Sequence, residues 1–176
     1  MTTIGEIWFW DLETTGLSAK SGDILLLGAF LPLSSDTPVL VSNSDVPDDE
    51  TEVVRLRDFI LEHPRDDFYS WNGFRFDLPF MTERLKQYDY WPFTHEFQYD
   101  LKDMFKSRYP WLDGHLDTAL KALGIEQQKT PLDMSINRRC ANSVDDTEAW
   151  DQLIEHCVAD VRGTKEVWKK MESFNY

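Results

Sequence analysis

The run Ile7-Trp8-Phe9-Trp10-Asp11-Leu12-Glu13-Thr14-Thr15-Gly16-Leu17 limits the fold of this chain more than any other stretch. Its apolar start reads as a strand over Glu6 to Leu12, and two carboxylates one residue apart follow at its end. Alternate strand residues share a face, so Asp11 and Glu13 project together while Leu12 points the other way. Like charges side by side at the end of a buried strand repel each other and resist desolvation. They persist there only with a compensating cation or a shared proton. Taken alone, the pair reads more simply as solvated acids where a strand meets the surface. The rest of the chain has to decide between the two.

A second strand is expected over Ile24 to Leu31, after the turn chemistry of Ser21-Gly22-Asp23, with further strands at Pro38 to Ser42 and Phe68 to Trp71. Helical spacing of Val53, Leu56, Phe59 and Ile60 predicts a helix over Asp49 to Glu62, with Pro64 just beyond it. Further helices are predicted at Asp77 to Gln87, Leu101 to Ser107, His115 to Leu123 and Asp146 to Phe174. The polar, weakly periodic segment Ile125 to Val144 reads as a long loop. Strands followed by a helix, a strand and more helices fit a mixed α/β sheet flanked by helices. The short Ser21-Gly22-Asp23 link predicts an antiparallel hairpin, and the later strand would return parallel through a helix. This is the pattern of an RNase H-like fold.

A chain of 176 residues is expected to form a single domain, residues 1–176, with one sizeable core. With 7 Trp, 11 Phe and 41% hydrophobic residues, a packed globule is expected rather than disorder. The formal net charge of −14 argues against broad clamping of a nucleic-acid duplex, which needs many cations facing phosphates. It leaves room for a small site that meets only a strand end, above all where divalent cations offset the local charge. Cys140 and Cys157 lack paired or metal-ligand spacing, so reduced thiols are expected. No signal peptide is read at the N-terminus. The longest apolar stretch, Ile24 to Leu33, is interrupted by Gly28 and Pro32 and falls far short of the roughly 20 residues of a membrane span. A cytoplasmic protein without membrane association is the expectation.

Two further segments carry candidate chemistry. In Trp71-Asn72-Gly73-Phe74-Arg75-Phe76-Asp77-Leu78-Pro79, a strand ends near Asn72 and a helix begins near Asp77. Asp77 there has an ordinary alternative as a helix N-cap, and Asn72 as a turn residue. In His156-Cys157-Val158-Ala159-Asp160, the histidine and aspartate are four apart and share a helical face. They flank an apolar stripe through Trp150, Ile154, Cys157, Val161, Thr164 and Trp168, with Gly163 beside them, where a cleft can form. The alternative is a solvated His–Asp pair. Four carboxylates and one imidazole are the parts that two-metal phosphoryl transfer requires. Cations about 4 Å apart need oxygen ligands, and a nearby base takes a proton from water. Histidine suits that task near neutrality.

Asp11-x-Glu13 with the trailing Thr-Thr-Gly-Leu resembles the first motif of the DEDD (DnaQ-like) 3′→5′ exonucleases, the proofreading-type superfamily. Asn72-x-x-x-Phe76-Asp77 resembles the second motif as it occurs in family-B DNA polymerase proofreading domains, and His156 to Asp160 sits where the third belongs. Order and separation agree across nearly the whole chain. The resemblance implies that Asp11, Glu13, Asp77 and Asp160 are metal ligands for two Mg²⁺ or Mn²⁺ ions and that His156 is the general base. Thr14 and Leu17 match positions that contact the 3′-terminal nucleotide, Leu17 as an apolar wedge, and Asn72 matches a substrate-facing position. Phe76 is expected to pack under the site, and Asp100 to support it from behind. One departure stands out: tyrosine, where the family has it, lies four positions before the last aspartate and histidine lies five, whereas His156 stands at the tyrosine spacing.

The resemblance implies a 3′→5′ exonuclease that releases 5′-mononucleotides from single-stranded or frayed 3′ ends, with DNA ahead of RNA. A role in proofreading or DNA repair follows from the same likeness, the chain acting alone or beside a separate polymerase or repair protein. The alternatives are a structure-specific endonuclease on the same fold and a non-catalytic module that binds nucleic acid or protein. Arg75, Arg138, Arg139 and Arg162 are candidates to meet phosphates, and Trp71, Trp91 and Trp111 to stack bases, beside their ordinary readings as surface charge and core.

Overall fold

A computed structural model describes residues 5–92, 97–126 and 133–174. In chain order the elements are β1 (Ile7–Thr14), β2 (Leu25–Pro32), β3 (Val39–Ser42), α1 (Glu50–Glu62), β4 (Asp67–Ser70), α2 (Asp77–Gln87), β5 (Gln98–Asp100), α3 (Leu101–Arg108), α4 (Leu116–Ala122), α5 (Met134–Asn142) and α6 (Thr147–Glu172). A single 3-10 turn at Ala19–Ser21 joins β1 to β2.

The strands form one mixed sheet in the order β3-β2-β1-β4-β5. As the short link between them predicts, β1 and β2 pair antiparallel, with Asp11 opposite Ala29 and Glu13 opposite Leu27. Parallel pairing returns through helices, β4 against β1 and β5 against β4. Alternation along β1 then divides the core. Trp10 and Leu12 face a cluster with Leu56 of α1 and Met81 and Leu85 of α2. Phe9 faces a second cluster with Ile136 and Cys140 of α5 and Leu153, Cys157 and Val161 of α6. Helices cover both faces, so every residue of β2 is buried. This is the mixed α/β, RNase H-like architecture expected above.

Two buried cations tie the elements together. Arg84 of α2 pairs with Asp49 at the start of α1, its Nε donating to both carboxylate oxygens at 3.0 Å, and the Leu25 amide donates to the same carboxylate. Lys165 of α6 donates from Nζ to Pro32 O at 3.0 Å, Ser35 O at 2.7 Å and the Asp36 carboxylate at 3.0 Å. The second clamp fixes α6 along the strand that pairs with β1, and so fixes where the residues of α6 meet Asp11 and Glu13.

Three features differ from the sequence reading. The first strand runs on to Thr14, because its last residues still find partners in Leu27 and Leu25. Gln98–Asp100 forms a strand although it lacks an apolar alternation, since β4 offers it an open edge. The predicted loop 125–144 contains α5; residues 127–132 of it lie outside the described residues. Among the described residues, no helix is long and apolar enough to cross a membrane.

Candidate active site

Pleating sends Asp11 and Glu13 to the face of β1 that α6 covers, and there the two segments meet. Oxygens of both carboxylates and the Sγ of Cys157 all lie within 4.8 Å of one another. Cys157 Sγ stands 3.8 Å from Asp11 Oδ2. His156 Nε2, one residue before it, lies 3.6 Å from Glu13 Oε1 and 3.8 Å from Asp160 Oδ2. The imidazole thus bridges an acid of the first strand and an acid of the last helix. His156 is 7% exposed and Glu13 8%, which sets aside the reading of solvated surface acids and a solvated His–Asp pair.

Asp77 approaches from the other side of β1. It is the first residue of α2, whose N-cap is Phe76, and the cap makes no side-chain hydrogen bond. The ordinary N-cap role for Asp77 is therefore not what the structure shows. Its carboxyl is 1% exposed, and Oδ1 has no hydrogen-bond partner. Burial pushes this carboxyl up to about 7, with the negative charge of Asp100 adding to the effect and the backbone amides of Asp77 and Leu12 opposing it. The close approach is made through Gly73: a Cβ there would stand 1.9 Å from Ser70 Oγ and 3.3 Å from Asp77 Oδ2.

Cys157 lies within electrostatic reach of all four acids. Burial holds its thiol well above the usual range, and the negative charges of Asp11, Glu13, Asp160 and Asp77 push it further the same way. The charge of all four acids is felt at this thiol, and oxygens of Asp11 and Glu13 lie within 4.8 Å of it. A buried carboxylate oxygen without a donor, as on Asp77, with the charge of Asp100 adding to its burden, fits a cation better than any protein partner. The oxygen-rich donor set is that of a hard divalent ion, and the protonated Cys157 is a neighbour rather than a ligand.

Glu13 and His156 open onto a cleft of about 330 Å³ that is also lined by Thr14, Gly16, Leu17, Phe76, Met134 and Asn137. Its lip is built by the turn after β1. Thr14 Oγ1 donates to Gly16 O at 2.6 Å, and Asp23 Oδ2 accepts from the Ser18 amide at 2.9 Å. A Cβ on Gly16 would meet the Asp23 carboxylate at 2.5 Å, so a side chain here would displace Asp23 from the turn. The brace leaves the Leu17 side chain 83% exposed at the lip, an unusual place for leucine without a ligand to cover it. Phe76 packs on Phe80, with ring centroids 5.9 Å apart, and shows its remaining face to the cleft.

Asn72 lies at the end of β4 with φ of 71°, a left-handed conformation that asparagine tolerates better than most residues. Its Oδ1 accepts from Lys102 Nζ at 2.9 Å. Asp100 secures that turn from behind, accepting the amides of Asn72 at 3.2 Å and Phe74 at 3.1 Å while capping α3 through Lys102 N and Asp103 N. Of the arginines, Arg75 pairs with Asp103 and Arg139 with Asp146 and Glu148. Trp71 is a packing residue, its Nε1 donating to Gly114 O and its ring set against Phe105; Trp91 and Trp111 are exposed.

Three contributors escape a reading of sequence alone. Asn137 is buried in α5, and its Nδ2 donates to Thr14 O at 2.8 Å, holding the turn that carries Leu17. Met134 lines the cleft from the same helix, and Cys157 sits among the acids. The one available signal for α5 was Asp133, a capping residue whose side chain accepts from Ser135 N, followed by Ile136 and Cys140 at helical spacing.

Comparison with known proteins bears on the fold that carries this cleft. The family model described as the RNase H superfamily matches residues 8–172. Among curated proteins, none matches this sequence. Among solved structures, the family B DNA polymerase from the hyperthermophilic archaeon Pyrobaculum calidifontis superposes with a TM-score of 0.78 at 16% identity, over 97% of this chain and 25% of that one. E. coli exonuclease I, in complex with a dT13 oligonucleotide, gives a TM-score of 0.63 at 17% identity, over 95% of this chain and 40% of that one. The chain thus spans a quarter to two fifths of the length of these neighbours, and the expected likeness to DEDD-type exonucleases holds at the level of the fold. With a family match across almost all of its length and the sheet to go with it, the chain belongs to the RNase H superfamily.

Proposed function

We propose that this protein is a metal-dependent 3′→5′ exonuclease that removes 5′-mononucleotides from single-stranded ends. The observation that carries the reading is the Asp11–Glu13 carboxylate pair, its oxygens within 4.8 Å of one another, with His156 Nε2 set 3.6 Å from Glu13 and 3.8 Å from Asp160. Asp11, Glu13, Asp77 and Asp160 would hold two divalent cations, Mg²⁺ or Mn²⁺. Such ions, when bound, ease ionisation of a water and offset charge on a phosphate in transfer.

The chain's own side chains supply the rest. His156 lines the cleft and takes the proton from the attacking water; Glu13 and Asp160, each within 4 Å of its Nε2, stabilise the imidazolium that results. Thr14 and Leu17, on the braced turn at the lip, contact the terminal nucleotide, Leu17 against the face of its base. Asn72, in the turn just beyond β4, is proposed to meet the sugar–phosphate. An exposed apolar lip beside a cleft large enough for a nucleotide favours an end over the middle of a strand. DNA is placed ahead of RNA because the structurally similar E. coli exonuclease I was captured with a DNA oligonucleotide.

A time course on 5′-labelled single-stranded DNA and RNA with Mg²⁺ or Mn²⁺ tests the reading, with Asp11→Ala as control. The expected result is progressive shortening from the 3′ end, release of 5′-mononucleotides and an intact circular single strand. Internal fragments from the circle would instead indicate an endonuclease, and a wild type as inert as the control would indicate a binding module.

A further inference from the structure

A second groove of about 300 Å³ lies behind the lip, between the Ala19–Ser21 turn and α2. It shares Leu17 and Phe76 with the cleft of the site, so these two residues form a ridge with one hollow on either side. Lys20, Arg75 and Lys86 line it, against Glu83. In a chain with 18 basic and 32 acidic residues, three cations to one acid beside the site is a local reversal of charge. Arg75 is engaged with Asp103. Among the described residues, Lys20 and Lys86 stand in no ion pair, and both are exposed. The groove is also held in shape, because Gln87 Nε2 of α2 donates to Ala19 O at 3.0 Å and fastens the turn to the helix.

From these features we infer that the groove is a phosphate-binding subsite for the nucleotides that precede the 3′ end. This rests on the exonuclease reading above. The strand crosses the Leu17–Phe76 ridge, with its terminal nucleotide on the carboxylate side and the preceding phosphates against Lys20 and Lys86. Point-like ammonium groups on flexible stems fit a backbone whose sequence varies. The subsite gives an acidic protein a local grip on a polyanion and makes it prefer oligonucleotides to single nucleotides.

The test pairs Lys20→Ala/Lys86→Ala with Lys121→Ala/Lys170→Ala, an equal loss of charge at exposed positions away from the groove. Turnover is compared on oligo(dT) and on thymidine 5′-p-nitrophenyl phosphate, which presents a single nucleotide. The ratio of kcat/KM for the oligonucleotide to that for the ester should fall about tenfold in the groove variant and hold in the control variant. In parallel, fluorescence anisotropy of labelled oligo(dT) is followed against salt on the Asp11→Ala background. The slope of log K on log salt should shrink by about 1.4, roughly 0.7 for each single-strand phosphate released. An unchanged ratio and slope, or equal losses in both variants, overturns the subsite. A wild type that hydrolyses neither substrate refutes the nuclease reading instead, and the anisotropy arm then decides the subsite alone.

Discussion

Asp77 is held in a place that an ionised side chain on its own would avoid. Its carboxyl titrates near 7 in the folded protein against an ordinary value of 3.8, and the principal cause is burial. The sign of the linkage follows. A carboxyl whose folded value is raised binds its proton more tightly when folded, so in chelator the protein loses stability as pH rises from about 4 to about 7. Asp77→Asn removes that loss. In EDTA at about pH 8 the variant should melt higher than the wild type, by roughly 4–8 °C for a gain near 2 kcal/mol, while losing the stabilisation that added Mn²⁺ gives the wild type. Thermal melts in EDTA and in Mn²⁺ at two pH values check both parts. His156→Ala should lower turnover by about 10²–10⁴ and abolish the acidic limb of the pH–rate profile, with folding verified by circular dichroism. Near-wild-type turnover would remove His156 as the base. These positions were legible in the sequence because their relations are local: alternation joins Asp11 to Glu13, and helical spacing joins His156 to Asp160. The place of Cys157 among the acids was not legible, because it depends on how α6 lies across β1.

Elements position the site through a few buried ties, and these are where it is vulnerable. Arg84→Ala would leave the Asp49 carboxylate buried, fully shielded from water, without its cation. The expected cost is about 3–5 kcal/mol, read from urea denaturation, since an orphaned buried charge is worse than no pair at all. Asn137→Ala removes the donor to Thr14 O and leaves the β1 turn less well held, so KM should rise several-fold with a smaller change in kcat. The helices with a clear apolar period were predicted within a residue or two of their observed ends. The short helix beside α6 was not: α5 spans only Met134–Asn142, with Asn137, Arg138 and Arg139 in its middle, and it is stabilised by packing Ile136 and Cys140 against α6 rather than by its own pattern. Likewise β5, at three residues, exists only because β4 pairs with it. Short elements owe their existence to neighbours that no window of sequence contains.

At the scale of the molecule, α6 joins six other elements. It packs on β1, β2 and β4, and on α3, α4 and α5, so the clusters on its face of the sheet share one helix. We expect a single cooperative unit: unfolding followed by tryptophan fluorescence and by far-ultraviolet circular dichroism should give one midpoint, and separate midpoints would show that the α1–α2 layer melts apart. The same helix has a bearing on the timing of activity. Asp11 and Glu13 stand near the start of the sequence, while His156 and Asp160 arrive on its last long helix. A chain emerging from the ribosome folds from its N-terminal part first. Until α6 has been made and has docked, the acids of β1 lack the imidazole of His156 and the carboxylate of Asp160 beside them. Under the proposed exonuclease mechanism, a nascent or prematurely ended chain would be inactive, and hydrolysis would begin only once the fold has closed.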